Sequence, residues 1–130
     1  MDKTEISNET KYDLEERTIQ FAEHVIDLLK QIKKDWINYS IISQLVRSAS
    51  SIGANYCEAT EAESKKDFIH KISISRKESK ETKHWLRLLA KSNPENKDRI
   101  IFLWKEANQL LLIFSKIVNS TKLNLNASKK

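Results

Sequence analysis

Turn-forming residues are almost absent from this chain, and their scarcity is what most constrains its fold. The 130 residues include one glycine, Gly53, and one proline, Pro94. A sheet of several strands needs tight turns that rely on such residues, whereas leucine, isoleucine, lysine and glutamate, which are abundant here, favour helix. A chain of this length usually forms one domain. The sequence therefore predicts a single all-α domain.

Apolar residues recur with the period of an α-helix in four segments. We expect helices at about residues 11–33, 40–60, 64–91 and 94–119. Each helix carries a core stripe. The stripes are Leu14, Phe21, Val25, Leu28 and Ile32; Ile41, Leu45, Ala49, Ile52, Tyr56 and Ala59; Phe68, Ile72, Ser75, Ser79, Thr82, Leu86 and Leu89; and Leu103, Trp104, Ala107, Leu110, Leu111, Phe114, Ile117 and Val118.

Several residues between and within these segments predict how the helices begin and pack. Asn38 or Ser40 is expected to cap the second helix by accepting a hydrogen bond from a free backbone amide, and Trp36 and Ile37 to cover the end of the bundle. A capping box, Ser64-x-x-Asp67, opens the third helix, and Ser92-Asn93-Pro94 ends it. Gly53 and the small polar residues of the third stripe indicate close approach of neighbouring helices.

Short connections between four amphipathic helices force neighbouring helices to run antiparallel. The sequence thus predicts an antiparallel up-and-down four-helix bundle over residues 11–119, between disordered segments at residues 1–10 and 120–130. Cys57 is the only cysteine, residues 1–5 lack the features of a signal peptide, and the longest apolar run is Leu110–Phe114. We expect a cytoplasmic protein that does not cross a membrane.

Charge is divided unequally between the two halves of the chain. Residues 1–63 carry 7 basic and 12 acidic side chains, and residues 64–130 carry 16 and 6. Much of the excess positive charge lies on the third helix, where a helical wheel places six cations on the side opposite the core stripe: Lys65, Arg76, Lys80, Lys83, Arg87 and Lys91. This face is a candidate contact for phosphates of RNA or DNA, or for an acidic protein. It is also what an ordinary solvated helix face looks like.

Two further groups of residues predict a subunit interface. The fourth helix is apolar almost all round, and the residues outside its core stripe are Ile101, Phe102, Leu112 and Ile113. In a small bundle such residues need burial against another copy. A polar stripe beside the core of the second and third helices is either an interface or a ligand site, and the excess apolar surface favours the interface. It comprises Arg47, Asn55, Glu58, Lys71, Glu78 and Trp85.

Catalytic and metal chemistry find little support in the residue spacing. Glu81-x-x-His84 has the spacing of a bundle metal site, but the second pair needed on another helix is missing, since Asp67-x-x-His70 lies on the same helix. His24 likewise is interpreted as an ordinary surface or boundary residue. Cys57 lacks a sequence context that supplies a base, so it is interpreted as a small packed residue. We expect neither an enzyme nor a cofactor or metal.

Polar residues stand at fixed spacings along the second and third helices. The runs are Gln44-Leu45-x-Arg47-Ser48-Ala49-x-Ser51-Ile52-x-Ala54-Asn55-x-x-Glu58-Ala59, Ser64-x-x-Asp67-Phe68-x-x-Lys71 and Lys77-Glu78-x-x-Glu81-Thr82-x-x-Trp85-Leu86. This pattern resembles the bacterial four-helix-bundle proteins known as 23S rRNA intervening-sequence proteins. Many relatives have glycine after the motif glutamate, where this chain has Ala59.

The resemblance implies a bundle that assembles into a homopentameric ring in the bacterial cytoplasm. It also implies relatedness to the accessory protein of diversity-generating retroelements, a basic barrel considered to engage nucleic acid and reverse transcriptase. The family name reports where some of the genes lie and assigns no activity. A basic, homo-oligomeric bundle that binds nucleic acid is therefore the expected function, and a structural scaffold or protein-interaction adapter is the alternative.

Overall fold

The protein folds into a bundle of four helices. The structure is a computed structural model, which describes the backbone of residues 3–128 and the side chains of residues 14–127. The helices are α1 (Lys3–Gln31), α2 (Trp36–Thr60), α3 (Lys65–Ser92) and α4 (Lys97–Ser128), and the 3₁₀ turn Pro94–Asn96 joins α3 to α4. The backbone of residues 3–128 contains no strand. The predicted all-α class is confirmed.

Each helix packs against two neighbours: α1 and α3 both contact α2 and α4. Hydrogen bonds bring opposite helix ends together. Ser92, the last residue of α3, donates to Asn38 near the start of α2, and Arg99 near the start of α4 donates to Gln31, the last residue of α1. This arrangement fits the predicted antiparallel up-and-down bundle.

The core contains residues from all four predicted stripes. Its buried apolar residues are Leu14, Phe21, Val25, Leu28, Leu29, Ile32, Leu45, Ala49, Ile52, Tyr56, Ala59, Ile72, Leu86, Leu89, Ile100, Leu103, Ala107, Leu110, Phe114 and Val118. Ile41, Phe68, Trp104 and Ile117 pack against this core with part of their surface exposed. The helical periodicity therefore identified most of the core, but it missed the buried residues Leu29 and Ile100.

The start of α2 differs from the prediction. The helix begins at Trp36, and its cap is Asp35, whose carboxylate accepts a hydrogen bond from the amide of Asn38 at 2.8 Å. Neither Asn38 nor Ser40 is the cap. The prediction that Trp36 and Ile37 cover the bundle end is also wrong, because Trp36 is 82% exposed and Ile37 is 45% exposed.

The start of α3 agrees with the predicted capping box. Ser64 precedes the helix, and its hydroxyl accepts a hydrogen bond from the amide of Asp67 at 3.0 Å. The carboxylate of Asp67 lies in the first turn, where negative charge is favourable beside the free amides. Ser64 and Asp67 thus fix where α3 begins.

Small residues allow α2 to approach both of its neighbours closely. A Cβ atom added to Gly53 would lie 3.0 Å from Oγ1 and 3.2 Å from Cβ of Thr18 on α1. On the other side of α2, the buried hydroxyl of Ser75 donates to the carbonyl of Ile52 at 2.9 Å, and that of Thr82 donates to Ser48 at 2.9 Å. The predicted tight packing at Gly53 and along the third stripe is confirmed.

The first and last helices are longer than predicted. The α1 helix begins at Lys3 rather than near residue 11, and α4 continues to Ser128 rather than ending near residue 119. Most side chains of residues 119–127 are exposed, so this part of α4 extends beyond the core. The predicted disorder of the two ends stays a prediction, and residues 1–2 and 129–130 lie outside the described residues. None of the described helices combines the length and apolar character needed to cross a membrane.

Candidate nucleic-acid interface

Four of the six cations predicted to bind nucleic acid border the groove between α3 and α4: Arg76, Lys80, Lys83 and Arg87. We call the full set of six, Lys65, Arg76, Lys80, Lys83, Arg87 and Lys91, the basic flank. Its position is fixed by Lys83, whose ammonium donates to the amide oxygen of Asn108 on α4 at 2.8 Å and lies 4.6 Å from the ring centroid of Trp104. The prediction that the cations lie opposite the core stripe is therefore wrong for Arg76, Lys80, Lys83 and Arg87, which border the α3/α4 groove.

Most of the basic flank has its charge available. Lys65, Lys80, Arg87 and Lys91 are exposed and Arg76 is partly exposed. The side chains of these five form no ion pair or hydrogen bond with any described residue. The side chain of Lys83, in contrast, donates a hydrogen bond to Asn108 of α4. Five cations on one helix flank therefore present a row of uncompensated positive charge.

Two shallow grooves between α3 and α4 adjoin the basic flank. The larger, of about 720 Å³, is bordered by Arg76, Lys77 and Lys80 and has Leu111 and Leu112 on its α4 side. The smaller, of about 350 Å³, is lined by Arg87 of α3 and by Ile101 and Trp104 of α4. Arg76, Lys80 and Arg87 thus stand beside apolar side chains of α4 in these grooves.

Glu81 also lines the larger groove. Its carboxylate bonds to the guanidinium of Arg47 on α2, and this hydrogen bond lowers the pKa of Glu81. Arg47 also lies 3.2 Å from the carboxylate of Glu78, which is buried. Burial raises the pKa of Glu78, and the neighbouring Glu81 adds to the rise, while Arg47 opposes it. One guanidinium therefore serves two carboxylates between α2 and α3.

The other polar residues predicted for a subunit interface also have partners within the chain. Lys71 bonds to Glu58 at 3.0 Å, which raises the pKa of Lys71, and the amide of Asn55 donates to the carbonyl of Ser51 at 2.9 Å. Trp85 is partly buried, and its indole N–H interacts with the carboxylate of Glu81 and helps to lower the pKa of Glu81, although no described residue meets full hydrogen-bond geometry with it. These contacts explain how the α2/α3 surface is held, and the interface stays a prediction.

The apolar residues predicted for the interface differ in exposure. Phe102 is 67% exposed, Leu112 is 55% exposed and Ile101 is 37% exposed, whereas Ile113 packs partly against the core. Several exposed apolar groups on one helix of a bundle indicate a contact surface. Ile101, Phe102 and Leu112 therefore remain available to another molecule, and Ile113 contributes mainly within the chain.

Sequence reasoning missed a pair of exposed aromatic residues at the start of α2. Trp36 and Tyr39 are 82% and 58% exposed. They stand one helical turn apart, so they share one face of the first turn. The available signal was an aromatic residue two positions after the lysine pair Lys33-Lys34, in a segment where the apolar period breaks.

Residues considered for metal or nucleophilic chemistry are dispersed. No group of three potential metal ligands occurs among the described side chains, and His24, His70 and His84 are exposed. The thiol of Cys57 is partly buried and lies 3.7 Å from the carboxylate of Glu15. Burial and that carboxylate raise the pKa of Cys57, which disfavours the reactive thiolate.

Comparison with known proteins identifies similar bundles. A family model described as 23S rRNA-intervening sequence protein matches residues 10–116. Among solved structures, the chain is similar to a crystal structure of a protein of unknown function from the S23 ribosomal protein family of Bacteroides thetaiotaomicron. The two share 28% sequence identity with a TM-score of 0.72, over 81% of this chain and 97% of the other. No curated protein matches this chain.

Proposed function

The chain belongs to the 23S rRNA-intervening sequence protein family, and from this premise we propose that it is a non-enzymatic, homo-oligomeric bundle whose basic flank binds the phosphates of RNA or DNA. The resemblance to this family supports a pentamer in the bacterial cytoplasm. The single observation that carries nucleic-acid binding is the row of five flank cations that have no acidic partner among the described residues.

The spacing of these cations suits a polyanion better than a small anion. Arg76, Lys80, Arg87 and Lys91 are separated by about one or two helical turns each, so the row from residue 76 to residue 91 is about 22 Å long. A small anion would require cations that converge on one point, whereas a nucleic-acid backbone places phosphates in a line. In a homo-oligomer, each added copy would repeat this row.

Phosphate binding predicts a steep dependence of affinity on salt. Each neutralised phosphate of duplex DNA contributes about −0.9 to the slope of log K against log salt, because a condensed counterion is released. We expect labelled RNA and DNA to bind at low salt with a negative slope. Replacing Arg76, Lys80 and Arg87 by glutamine should weaken binding and make the slope shallower by about 0.9 per lost duplex contact, as measured by fluorescence anisotropy at four salt concentrations.

A matched control removes the same amount of charge from another surface. Lys105, Lys116 and Lys122 are exposed on α4 and line neither α3/α4 groove. Their replacement by glutamine should leave the slope nearly unchanged if the basic flank makes the contacts. Equal losses in the two triple variants would show that net charge alone attracts the polymer, and the assignment of the flank would then be wrong.

The exposed apolar side chains of α4 favour a second candidate function. Phe102 and Leu112 fit a structural scaffold or adapter that binds another protein, including an acidic one beside the flank, with positive charge serving solubility. Absence of measurable RNA and DNA binding at low salt, together with an intact oligomer, would favour this adapter over the nucleic-acid-binding protein.

A further inference from the structure

Trp36 and Tyr39 form an aromatic surface at the end of the bundle where α2 begins. Trp36 is the most exposed large apolar side chain among the described residues, and Tyr39 shares its face of the helix. Exposing two large rings to water is unfavourable unless another molecule covers them. Their position therefore needs an explanation beyond packing of the chain.

This aromatic surface is held on a firm support. Asp35 caps α2 directly before Trp36, and the buried amide of Asn38 lies between the two rings in sequence. Asn38 donates to the carbonyl of Lys33 at 2.9 Å and exchanges hydrogen bonds with Asn93, while Ser92 donates to it at 2.8 Å. The start of α2, the preceding connection and the end of α3 are thus fixed together, which preorganises the rings.

Two lysines, Lys33 and Lys34, and the capping carboxylate of Asp35 directly precede the aromatic surface in sequence. Lys30 lines a separate groove between α1 and α2 with Ile42 and Val46. The ammonium groups of Lys30 and Lys33 have no partner among the described residues, unlike that of Lys34, which donates to carbonyls at the end of α1. Lys33 therefore leaves one free cation about one helical turn before Trp36 in sequence.

The basic flank runs toward this same end of the bundle. Its last member, Lys91, precedes Ser92, whose hydroxyl bonds to Asn38. A backbone that follows the flank from Arg76 to Lys91 therefore arrives beside the start of α2. There the available side chains change from cations to aromatic rings, which stack on bases of any sequence.

We propose that Trp36 and Tyr39 form a stacking platform for unpaired bases of a single-stranded nucleic acid whose phosphates follow the basic flank. This inference rests on the proposed nucleic-acid binding and specifies its ligand as single-stranded. A duplex keeps its bases stacked on one another, so only unpaired bases can lie on the rings. Protein interfaces are enriched in tryptophan and tyrosine but depleted in lysine, so Lys33 and the flank's Lys91 at this end of the bundle favour a polyanion over a second copy.

The test compares single and double strands on the full chain. The probes are a labelled 12-nucleotide oligouridine and a labelled blunt 12-base-pair RNA duplex, and each variant is compared with the natural chain on each probe. Trp36→Ala and Tyr39→Ala should each weaken oligouridine binding about tenfold, in line with the usual contribution of one stacked base. Affinity for the duplex and the salt slope should hardly change, because neither substitution removes a charge. Trp36→Phe should retain most of the oligouridine affinity, because it keeps an aromatic ring.

A control substitution removes exposed apolar surface elsewhere. Leu123 is 70% exposed near the end of α4, and Leu123→Ala should leave both affinities unchanged. Circular dichroism should show unchanged folding in all variants, since Trp36 and Tyr39 lie largely outside the core. Quenching of tryptophan fluorescence by oligouridine should decrease in Trp36→Phe, which assigns the contact to that ring.

Each adverse result has a distinct meaning. Oligouridine affinities of Trp36→Ala and Tyr39→Ala equal to that of the natural chain would overturn the platform while leaving phosphate binding intact. Equal weakening by Trp36→Phe and Trp36→Ala would also overturn it, because an aromatic ring would then not suffice. A lower oligomer mass of Trp36→Ala in light scattering would show that a second copy covers the rings. Failure of the natural chain to bind either probe at low salt would defeat the proposed function as well.

Discussion

Asn38 and Asn93 form a reciprocal pair of amide hydrogen bonds inside the bundle. Nδ2 of Asn38 lies 3.1 Å from Oδ1 of Asn93, and Nδ2 of Asn93 lies 3.0 Å from Oδ1 of Asn38. Each residue is 1% exposed. Burying an amide is costly unless its polar atoms have partners, and here the two amides satisfy each other across 55 residues of sequence. The pair therefore ties the start of α2 to the end of α3.

Removing one member of this pair should destabilise the fold strongly. In Asn38→Ala, the side chain of Asn93 loses two partner atoms and Ser92 loses its acceptor. We expect the free energy of unfolding to fall by about 2–3 kcal/mol, because buried polar groups are left without partners. Chemical denaturation measures this change. Asn119→Ala, at an exposed position on α4, is the control and should stay within about 0.5 kcal/mol. Equal stabilities of the two variants would show that the amide pair contributes nothing.

A side chain at position 53 should force α1 and α2 apart. The first added carbon of Gly53→Val would already lie 3.0 Å from Oγ1 of Thr18, which is itself buried. Overpacking of this kind costs about 1–3 kcal/mol. Ala54→Val places the same β-branched residue on the exposed side of the same helix, where the loss should be under about 0.7 kcal/mol from helix propensity alone. Thermal denaturation of both variants separates the packing effect from the propensity effect, and similar losses would contradict close approach.

Local patterns in the sequence were sufficient for the helices and the core. The spacing of Leu14, Phe21 and Val25 places them on one face because the α-helix has a fixed period, and no distant residue changes that geometry. Ser64 was predicted as a cap because its acceptor reaches an amide only three residues away. Such features depend on neighbours in sequence, so they can be derived without the structure.

Features that depend on distant residues could not be derived in this way. Asn38 was a reasonable cap by residue type, but its partner Asn93 draws the amide into the bundle, and Asp35 caps the helix instead. A helical wheel gave the angular range of the basic flank, but not that α4 would border it through Trp104 and Asn108. The polar residues of the α2/α3 surface were recognised as a group, whereas the sharing of Arg47 by Glu78 and Glu81 required the packed helices.

Glu81 should stabilise the fold in a pH-dependent way. Its pKa is lowered in the folded chain, chiefly by the hydrogen bond from Arg47. A carboxyl with a lowered folded pKa contributes stability above its unfolded pKa, near 4.3, and loses it as pH falls through the folded pKa. Arg47 is half exposed, so the advantage of the natural chain over Glu81→Gln should be at most about 1 kcal/mol at pH 7. Urea denaturation from pH 7 to pH 3 should show that advantage disappearing.

Glu78 should show the opposite sign. Burial raises its folded pKa above the unfolded value, so the folded chain holds this proton more tightly and loses stability as pH rises through the raised pKa. At pH 7, Glu78→Gln should be at least as stable as the natural chain, since glutamine keeps a hydrogen-bonding oxygen without a buried charge. The difference should fade on acidification. A large loss of stability in Glu78→Gln at pH 7 would mean that the Arg47 ion pair outweighs burial.

Phe102 should control assembly if copies associate through the apolar surface of α4. Its side chain is 67% exposed, and burying a phenylalanine contributes about 1.5–3 kcal/mol. Phe102→Glu should therefore lower the oligomer mass in multi-angle light scattering, or raise the concentration of half-dissociation at least about tenfold, while circular dichroism stays helical. Leu123→Glu is the control, because it adds the same charge at another exposed apolar residue near the end of α4. Leu123 is 70% exposed, and this variant should leave the oligomer mass unchanged.

The polar residues of the α2/α3 surface provide the second half of that test. Arg47→Ala should also lower the mass if this surface meets the α4 surface of a neighbour, because arginine is enriched where subunits meet. The intrachain bonds of Arg47 to Glu78 and Glu81 give the alternative outcome, a small loss of stability with an unchanged mass. If Phe102→Glu dissociates the oligomer and Arg47→Ala does not, the interface pairs α4 of one subunit with α4 of another. An unchanged mass in both variants would remove these surfaces from the interface and leave the exposed ring of Phe102 to another protein.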